Sequence, residues 1–234
     1  MTSTVLITGA SRGLGLGLVK AFIERGSYKV LATCRSPANA TELAKVLAES
    51  NQPAAIACDI AEDESIAKCV GSLKELDQID ILINNAGISN DDHPNEPPSK
   101  VKREEFLRIM NTNVAGVLAM TSACLPLLKP DAKVISISSS LGSVTLAENF
   151  NCTSYRCSKA AVNMAVKTLA LEKPDMTFLA IHPGWVATDM GSAKNRSPPL
   201  TIPQSCGAMY EVIANLKHEN SGEFRDYNGK VMPY

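Results

Sequence analysis

The feature that most limits what this chain can fold into is the run from Val5 to Val19. There a short apolar, β-branched segment breaks into glycines and resumes as a helical pattern. The order is strand, tight turn, helix. Gly9, Gly13 and Gly15 stand in a Thr-Gly-x-x-x-Gly-x-Gly spacing. One permits the turn, one lets backbone approach a phosphate, and one lets helix pack on strand. With Ser11, Arg12 and Leu14 between them, residues 9–15 read as a cradle that holds a pyrophosphate at a helix N-terminus.

Beyond it, strand-like and helix-like stretches alternate. Strands are expected over residues 28–33, 54–58, 79–83, 177–181 and 224–232, with another from 133 that ends in a hydroxyl-rich turn near 142. Helices are expected over 16–24, 41–49, 104–128 and 203–216, after the acidic start Glu62-Asp63-Glu64, and in the alanine-rich stretch opened by Tyr155. This alternation implies right-handed crossovers and a single-domain, doubly wound α/β fold over residues 1–234. Its seven-stranded sheet is mainly parallel, helices cover both faces, and ligands bind at the strands' carboxyl ends.

Composition excludes other classes. With 234 residues, 45% of them hydrophobic, the chain can bury a sizeable core. A net charge of −1 without a dense basic run argues against nucleic acid as a partner. No apolar run approaches the length of a membrane span, so no membrane partner and a cytoplasmic location are expected. Seven scattered cysteines without a Cys-x-x-Cys, and His93, His182 and His218 away from ligand spacing, indicate neither a disulfide framework nor a metal site.

Chemistry-bearing residues gather at strand ends. Where a dinucleotide fold would place an acid on the ribose 2′-hydroxyl, this chain has Arg35, with Arg12 in the glycine turn. A guanidinium pairs well with phosphate, so NADP(H) is the expected cofactor. Asp59-Ile60 follows the third strand and suits the edge and face of an adenine, while Asp59 also suits a helix cap. In Asn84-Asn85-Ala86-Gly87 small residues let a ligand lie against backbone. Residues 89–102, acidic and proline-broken, read as a solvated loop, either a plain surface connection or, since it leaves a strand's carboxyl end, a rim of the site. Asn111 and Asn113 are poor mid-helix residues and signal a bend or a functional hydrogen bond. Tyr155 and Lys159, four apart, share a helix face. An ammonium beside a phenol favours the phenolate and makes a usable acid at neutral pH.

Taken jointly, Thr8 to Gly15, Asn84 to Gly87, Asn113, Ser138-Ser139, Tyr155-x-x-x-Lys159 and Pro183-Gly184 resemble the short-chain dehydrogenase/reductase family over essentially the whole chain. The stretches 12–20, 123–129 and 182–191 are similar to its sniffer-type carbonyl reductases. The resemblance implies a reductase of small aldehydes, ketones or quinones. Tyr155 would be the general acid and Ser139 a second donor to the carbonyl oxygen, chosen over Ser138 and Ser140. Lys159 would hold the nicotinamide ribose, and Asn113 would anchor a water. Pro183, Gly184, Val186 and Thr188 would meet the nicotinamide, with Asn85, Ala86 and Gly87 along the cofactor.

By the same resemblance residues 190–203 form a substrate lid and Trp185 lies by the cleft, the other reading of Trp185 being packing under the following loop. The interval from Ser139 to Tyr155 is longer than usual and the turn over 171–177 is short. A homodimer and a homotetramer are both compatible with the sequence. The alternative function is a non-catalytic NADP(H)-binding signalling or redox-sensing protein on the same fold. Cys157 reads as small helix packing, more than as a redox switch.

Overall fold

Alternate side chains of the apolar strands point to opposite faces, and this sets the layering. The computed structural model describes residues 2–74, 78–90, 96–192 and 197–234. Part of the expected loop over 89–102, part of the expected lid over 190–203, and His93 lie outside them. The strands are β1 (Ser3–Ile7), β2 (Tyr28–Cys34), β3 (Ile56–Ala57), β4 (Ile79–Asn84), β5 (Leu128–Ile137), β6 (Thr177–His182) and β7 (Glu223–Asp226). They form one sheet in the order β3-β2-β1-β4-β5-β6-β7, and each neighbouring pair is parallel. The chain winds outward from β1 to β3, returns to β4 beside β1, and winds outward the other way. That reversal opens a crevice at the carboxyl ends of β1 and β4.

The helices are α1 (Gly13–Arg25), α2 (Thr41–Glu49), α3 (Asp63–Leu73), α4 (Arg103–Met110), α5 (Gly116–Cys124), α6 (Thr153–Glu172), α7 (Asp189–Ser192) and α8 (Ile202–Ala214). On one face Val5, Ile7, Val30, Ile81, Ile83, Ile135 and Leu179 pack under α1, α2 and α8. On the other, Leu6, Leu31, Leu82, Val134, Phe178 and Phe224 pack under α3, α5 and α6. Asp80, an acid within an apolar run, accepts from Thr4 N at 2.7 Å and pairs with Lys129, so it ties β4 to both neighbours.

Four expected boundaries change. β3 spans two residues instead of 54–58, because the Gln52 side chain occupies the edge of β2. Its Oε1 accepts from Val30 N and its Nε2 donates to Tyr28 O. The helix expected over 104–128 is divided by a π-helical turn at Asn111–Ala115 and ends at Cys124, where Leu125-Pro126-Leu127 tightens into a 3-10 turn. β5 therefore starts at Leu128 instead of 133, with its register against β4 shifting between Ile79 and Ile81. β7 stops at Asp226 instead of continuing from 224 to 232. The Asp226 carboxylate accepts from Asn228 N and Lys230 N, Gly229 takes a φ of 86°, and the chain folds back so that Val231 bridges Arg225 antiparallel.

Beneath α1, Phe22 is fully buried and meets Tyr28 and Tyr210 edge to face, with ring centroids 5.0 Å away in each case. Phe22→Ala leaves a cavity between α1, β2 and α8. It is expected to cost about 3–5 kcal/mol of unfolding free energy, read from urea denaturation.

Candidate active site

At the end of β1 the chain must turn sharply into α1 beside the end of β4. Gly9 takes a φ of 66°, and a Cβ there would stand 2.7 Å from Ala86 Cα; on Gly15 it would stand 2.2 Å from the Gly9 carbonyl oxygen. No side chain larger than hydrogen fits either position without moving backbone. The Thr8 hydroxyl accepts from Asn85 N and Ala86 N at 3.0 and 3.1 Å. The Asn85 side-chain amide donates to Thr8 O and Gly9 O at 2.8 and 3.1 Å. Asn85 thus uses both donors to clamp the two turns together.

The N-cap of α1, Arg12, makes no side-chain cap, and the first turn carries no acid. Its leading N–H groups and the positive end of the helix dipole face the crevice. Ser11 and Leu14 are half-buried beside them. This cradle, closed to a Cβ and rich in donors, fits a dinucleotide pyrophosphate.

Around it, Arg12 makes an exposed ion pair with Asp189 at 3.3 Å, and Arg35 is exposed at the end of β2. The Asp59 carboxylate accepts from Ala61 N at 3.1 Å and so shapes the turn into α3, while Ile60 is buried against Gly116. After β6, Pro183 O accepts from Ser205 Oγ at 2.6 Å, Gly184 takes a φ of 82°, and Val186 is buried beside Leu200. The Thr188 hydroxyl accepts from Gly191 N, and its methyl would lie 3.6 Å from a Cβ on Gly13. The segment after β6 therefore reaches back to the glycine turn. Trp185, 48% exposed, donates from Nε1 to Gly191 O and braces the same turn.

Asn113, Ser139, Tyr155 and Lys159 come from three elements. Asn113 sits fully buried in the π-helical turn, a distortion common at functional sites. Its Oδ1 accepts from Ile88 N at 2.8 Å, and its Nδ2 donates to Ile88 O and Ser158 Oγ. Ser138, Ser139 and Ser140 leave β5 together, and their partners distinguish the first two. Ser138 Oγ donates to Asn163 Oδ1 at 2.6 Å inside the core, whereas Ser139 Oγ accepts from Leu141 N and donates to no group among the described residues. Asn163, which no sequence pattern singled out, is what claims Ser138.

On α6, Lys159 is 5% exposed and donates from Nζ to Ile137 O at 2.8 Å. Its ammonium lies 5.5 Å from the Tyr155 ring centroid. A Cβ on Gly87 would stand 3.2 Å from Asn113 Oδ1 and 3.7 Å from Lys159 Nζ, so both groups converge beneath that glycine. Burial pushes Lys159 down to about 8, which leaves it largely cationic at neutral pH.

Two expectations need correcting. The loop over 89–102 is not wholly solvated, because Asn90 and Glu96 are buried with polar partners on α6. The signal was present as an unmatched acid, but nothing local linked it to a helix fifty-eight residues later. Cys157 is exposed and does not pack in the core. Among the described residues no group of three or more His, Cys, Asp or Glu could hold a metal ion, and no helix is long and apolar enough to cross a membrane.

Comparison with known proteins agrees with this geometry. The short chain dehydrogenase family pattern matches residues 3–199. The short chain dehydrogenase gsfK of Penicillium aethiopicum is 33% identical over 254 residues, covering 100% of both chains. The NADPH-bound carbonyl reductase from chicken fatty liver superposes with a TM-score of 0.91 at 32% identity, over 100% of this chain and 99% of that one. The carbonyl reductase Sniffer of D. melanogaster gives a TM-score of 0.91 at 32% identity, over 100% of both chains.

The buried ammonium has a measurable consequence. Lys159 titrates near its ordinary 10.5 when unfolded and near about 8 when folded, so between those values the unfolded chain binds more protons and stability rises with pH. Below about pH 8 the burial cost is fully present. Lys159→Met is expected to exceed the parent in stability at pH 7 by on the order of 2 kcal/mol and to lose the rise above pH 8, read from urea midpoints at pH 7 and 9.5.

Proposed function

Because the chain belongs to the short chain dehydrogenase family, we propose that it is an NADPH-dependent oxidoreductase of the carbonyl reductase type. Its substrates are small aldehydes, ketones or quinones. The observation that carries this reading is the buried Lys159 ammonium 5.5 Å from the Tyr155 ring centroid, next to a glycine cradle that a Cβ would fill.

Gly9, Ser11, Gly13, Leu14 and Gly15 would hold the pyrophosphate, with Asp59 and Ile60 at the adenine and the backbone of 85–87 along the ribose. Val186 and Thr188 would hold the carboxamide. Arg12 and Arg35 support a 2′-phosphate, since Cys34-Arg35-Ser36 offers no acid for a bare 2′-hydroxyl. The Arg12–Asp189 pair is an exposed one, which leaves that guanidinium cheaply available to a phosphate.

When bound, the nicotinamide supplies the hydride that reduces the carbonyl carbon. Tyr155 gives its phenolic proton to the carbonyl oxygen as negative charge develops there. Ser139, whose hydroxyl donates to no group among the described residues, donates to the same oxygen, so the two form an oxyanion-hole pair. Lys159 stabilises the phenolate left on Tyr155. With one ammonium proton on Ile137 O, it has two more for the ribose hydroxyls. Asn113 holds residue 88 and, through Ser158, the face of α6 that carries both groups.

The test is NADPH and NADH oxidation with menadione, an aromatic aldehyde and an aromatic ketone. Turnover is expected with NADPH, and Tyr155→Phe is expected to lower kcat about a hundredfold or more while still binding NADPH. NADPH binding without turnover on any of the three would favour the signalling or sensing alternative. Loss of NADPH preference in Arg12→Ala/Arg35→Ala, with NADH use unchanged, checks the cofactor assignment.

A further inference from the structure

The helix that carries Tyr155 and Lys159 starts without a cap of its own. Its N-cap residue, Cys152, is left-handed at a φ of 54°, and its side chain does not cap the helix. The first N–H groups of a helix have no intrahelical acceptor, and a buried donor left unmet is costly. Two of these groups belong to Ser154 and Tyr155.

Both acceptors come from the other side of the site. Glu96 Oε2 accepts from Ser154 N at 3.1 Å, from Ser154 Oγ at 2.8 Å and from Asn90 Nδ2 at 3.1 Å. Asn90, oriented by that bond, accepts through Oδ1 from Tyr155 N at 3.1 Å. The Glu96 carbonyl also accepts from Thr153 Oγ1 at 3.0 Å. Asn90 is 2% exposed and Glu96 8%, so neither bond competes with bulk water. The same strand connection is held at Ile88 by both ends of the Asn113 amide. The segment after β4 is thus anchored on Asn113 at residue 88 and on the start of α6 at residues 90 and 96.

We propose that Glu96 is a positioning residue for Tyr155: its carboxylate, with Asn90, caps the catalytic helix from outside and sets where the phenol stands relative to Ser139 and Lys159. This rests on the reductase reading for its catalytic consequence, though not for its structural one. A carboxylate suits the task because it is acceptor-only and meets three donors at once, and its charge complements the positive end of α6. Without it, the Ser154 N–H, the Ser154 hydroxyl and the Asn90 amide lose their acceptor, Asn90 is no longer held against Tyr155 N, and the first turn frays. A proton donor displaced by even 1 Å can cost a hundredfold in rate.

The experiment compares Glu96→Ala, Glu96→Gln and Asn90→Ala in the full chain by steady-state kinetics with menadione and NADPH, NADPH fluorescence titration, and amide hydrogen exchange. Glutamine keeps an acceptor oxygen, so it is the conservative replacement. Glu96→Ala is expected to lower kcat about tenfold, with the NADPH dissociation constant within twofold of the parent. Exchange at Ser154 and Tyr155 should accelerate at least tenfold, while the sheet stays protected. Glu96→Gln is expected to restore kcat to within about threefold.

A parental kcat in Glu96→Ala, or equal damage from alanine and glutamine, overturns the proposal. If Glu96→Ala does not fold, Asn90→Ala decides, since an unchanged kcat there also overturns it. A parent protein that reduces no carbonyl defeats the reductase reading alone. Unchanged exchange at Ser154 and Tyr155 would then separately defeat the capping.

Discussion

The parallel pairing of β1 with β4 is the joint on which the site depends. It brings two turns together at one sheet edge, and each turn would leave backbone groups unmet if the other were absent. The Thr8 hydroxyl takes two N–H groups from the second turn, and the Asn85 amide gives two bonds to the carbonyls of the first. With the turns locked, Gly9 and Gly15 lie so close to neighbouring backbone that only hydrogen fits. The crevice for a dinucleotide is what remains between them.

Around that joint, buried polar bonds decide which side chains are committed to the core. Ser138 and Ser139 are adjacent and chemically identical, yet among the described residues only Ser138 donates its proton, because Asn163 on α6 stands within its reach. Lys159 illustrates the cost of such a site. Among the described residues, the sheet edge and α6 hold an ammonium out of water with one backbone carbonyl, Ile137 O, to accept from it, a position that costs stability.

The segment after β4 shows how much of the site's order is long-range. It touches the π-helical turn through Asn113 and the start of α6 through Asn90 and Glu96. Two elements that carry different residues of the candidate site are in this way tied to residues 88, 90 and 96. The relative placement of Asn113 and Tyr155 is thus set by hydrogen bonds between elements distant in sequence.

Much of this was legible in the residues in order. Alternating strand and helix patterns specify a doubly wound parallel sheet, because period and punctuation are local properties of the chain. The glycine turn, the Tyr155–Lys159 pair and the two arginines are legible for the same reason: each is set by spacing within one element and its adjoining turn. The boundaries that changed were decided by groups elsewhere. Gln52 shortened β3 by occupying the β2 edge, and Asp226 ended β7 by gathering N–H groups from the turn after it. Which serine donates its proton into the core, that Cys157 faces out, and that Glu96 is buried against α6 are tertiary facts. They depend on which donors and acceptors the folded chain brings within 3 Å of one another, and no local period in the sequence encodes that distance.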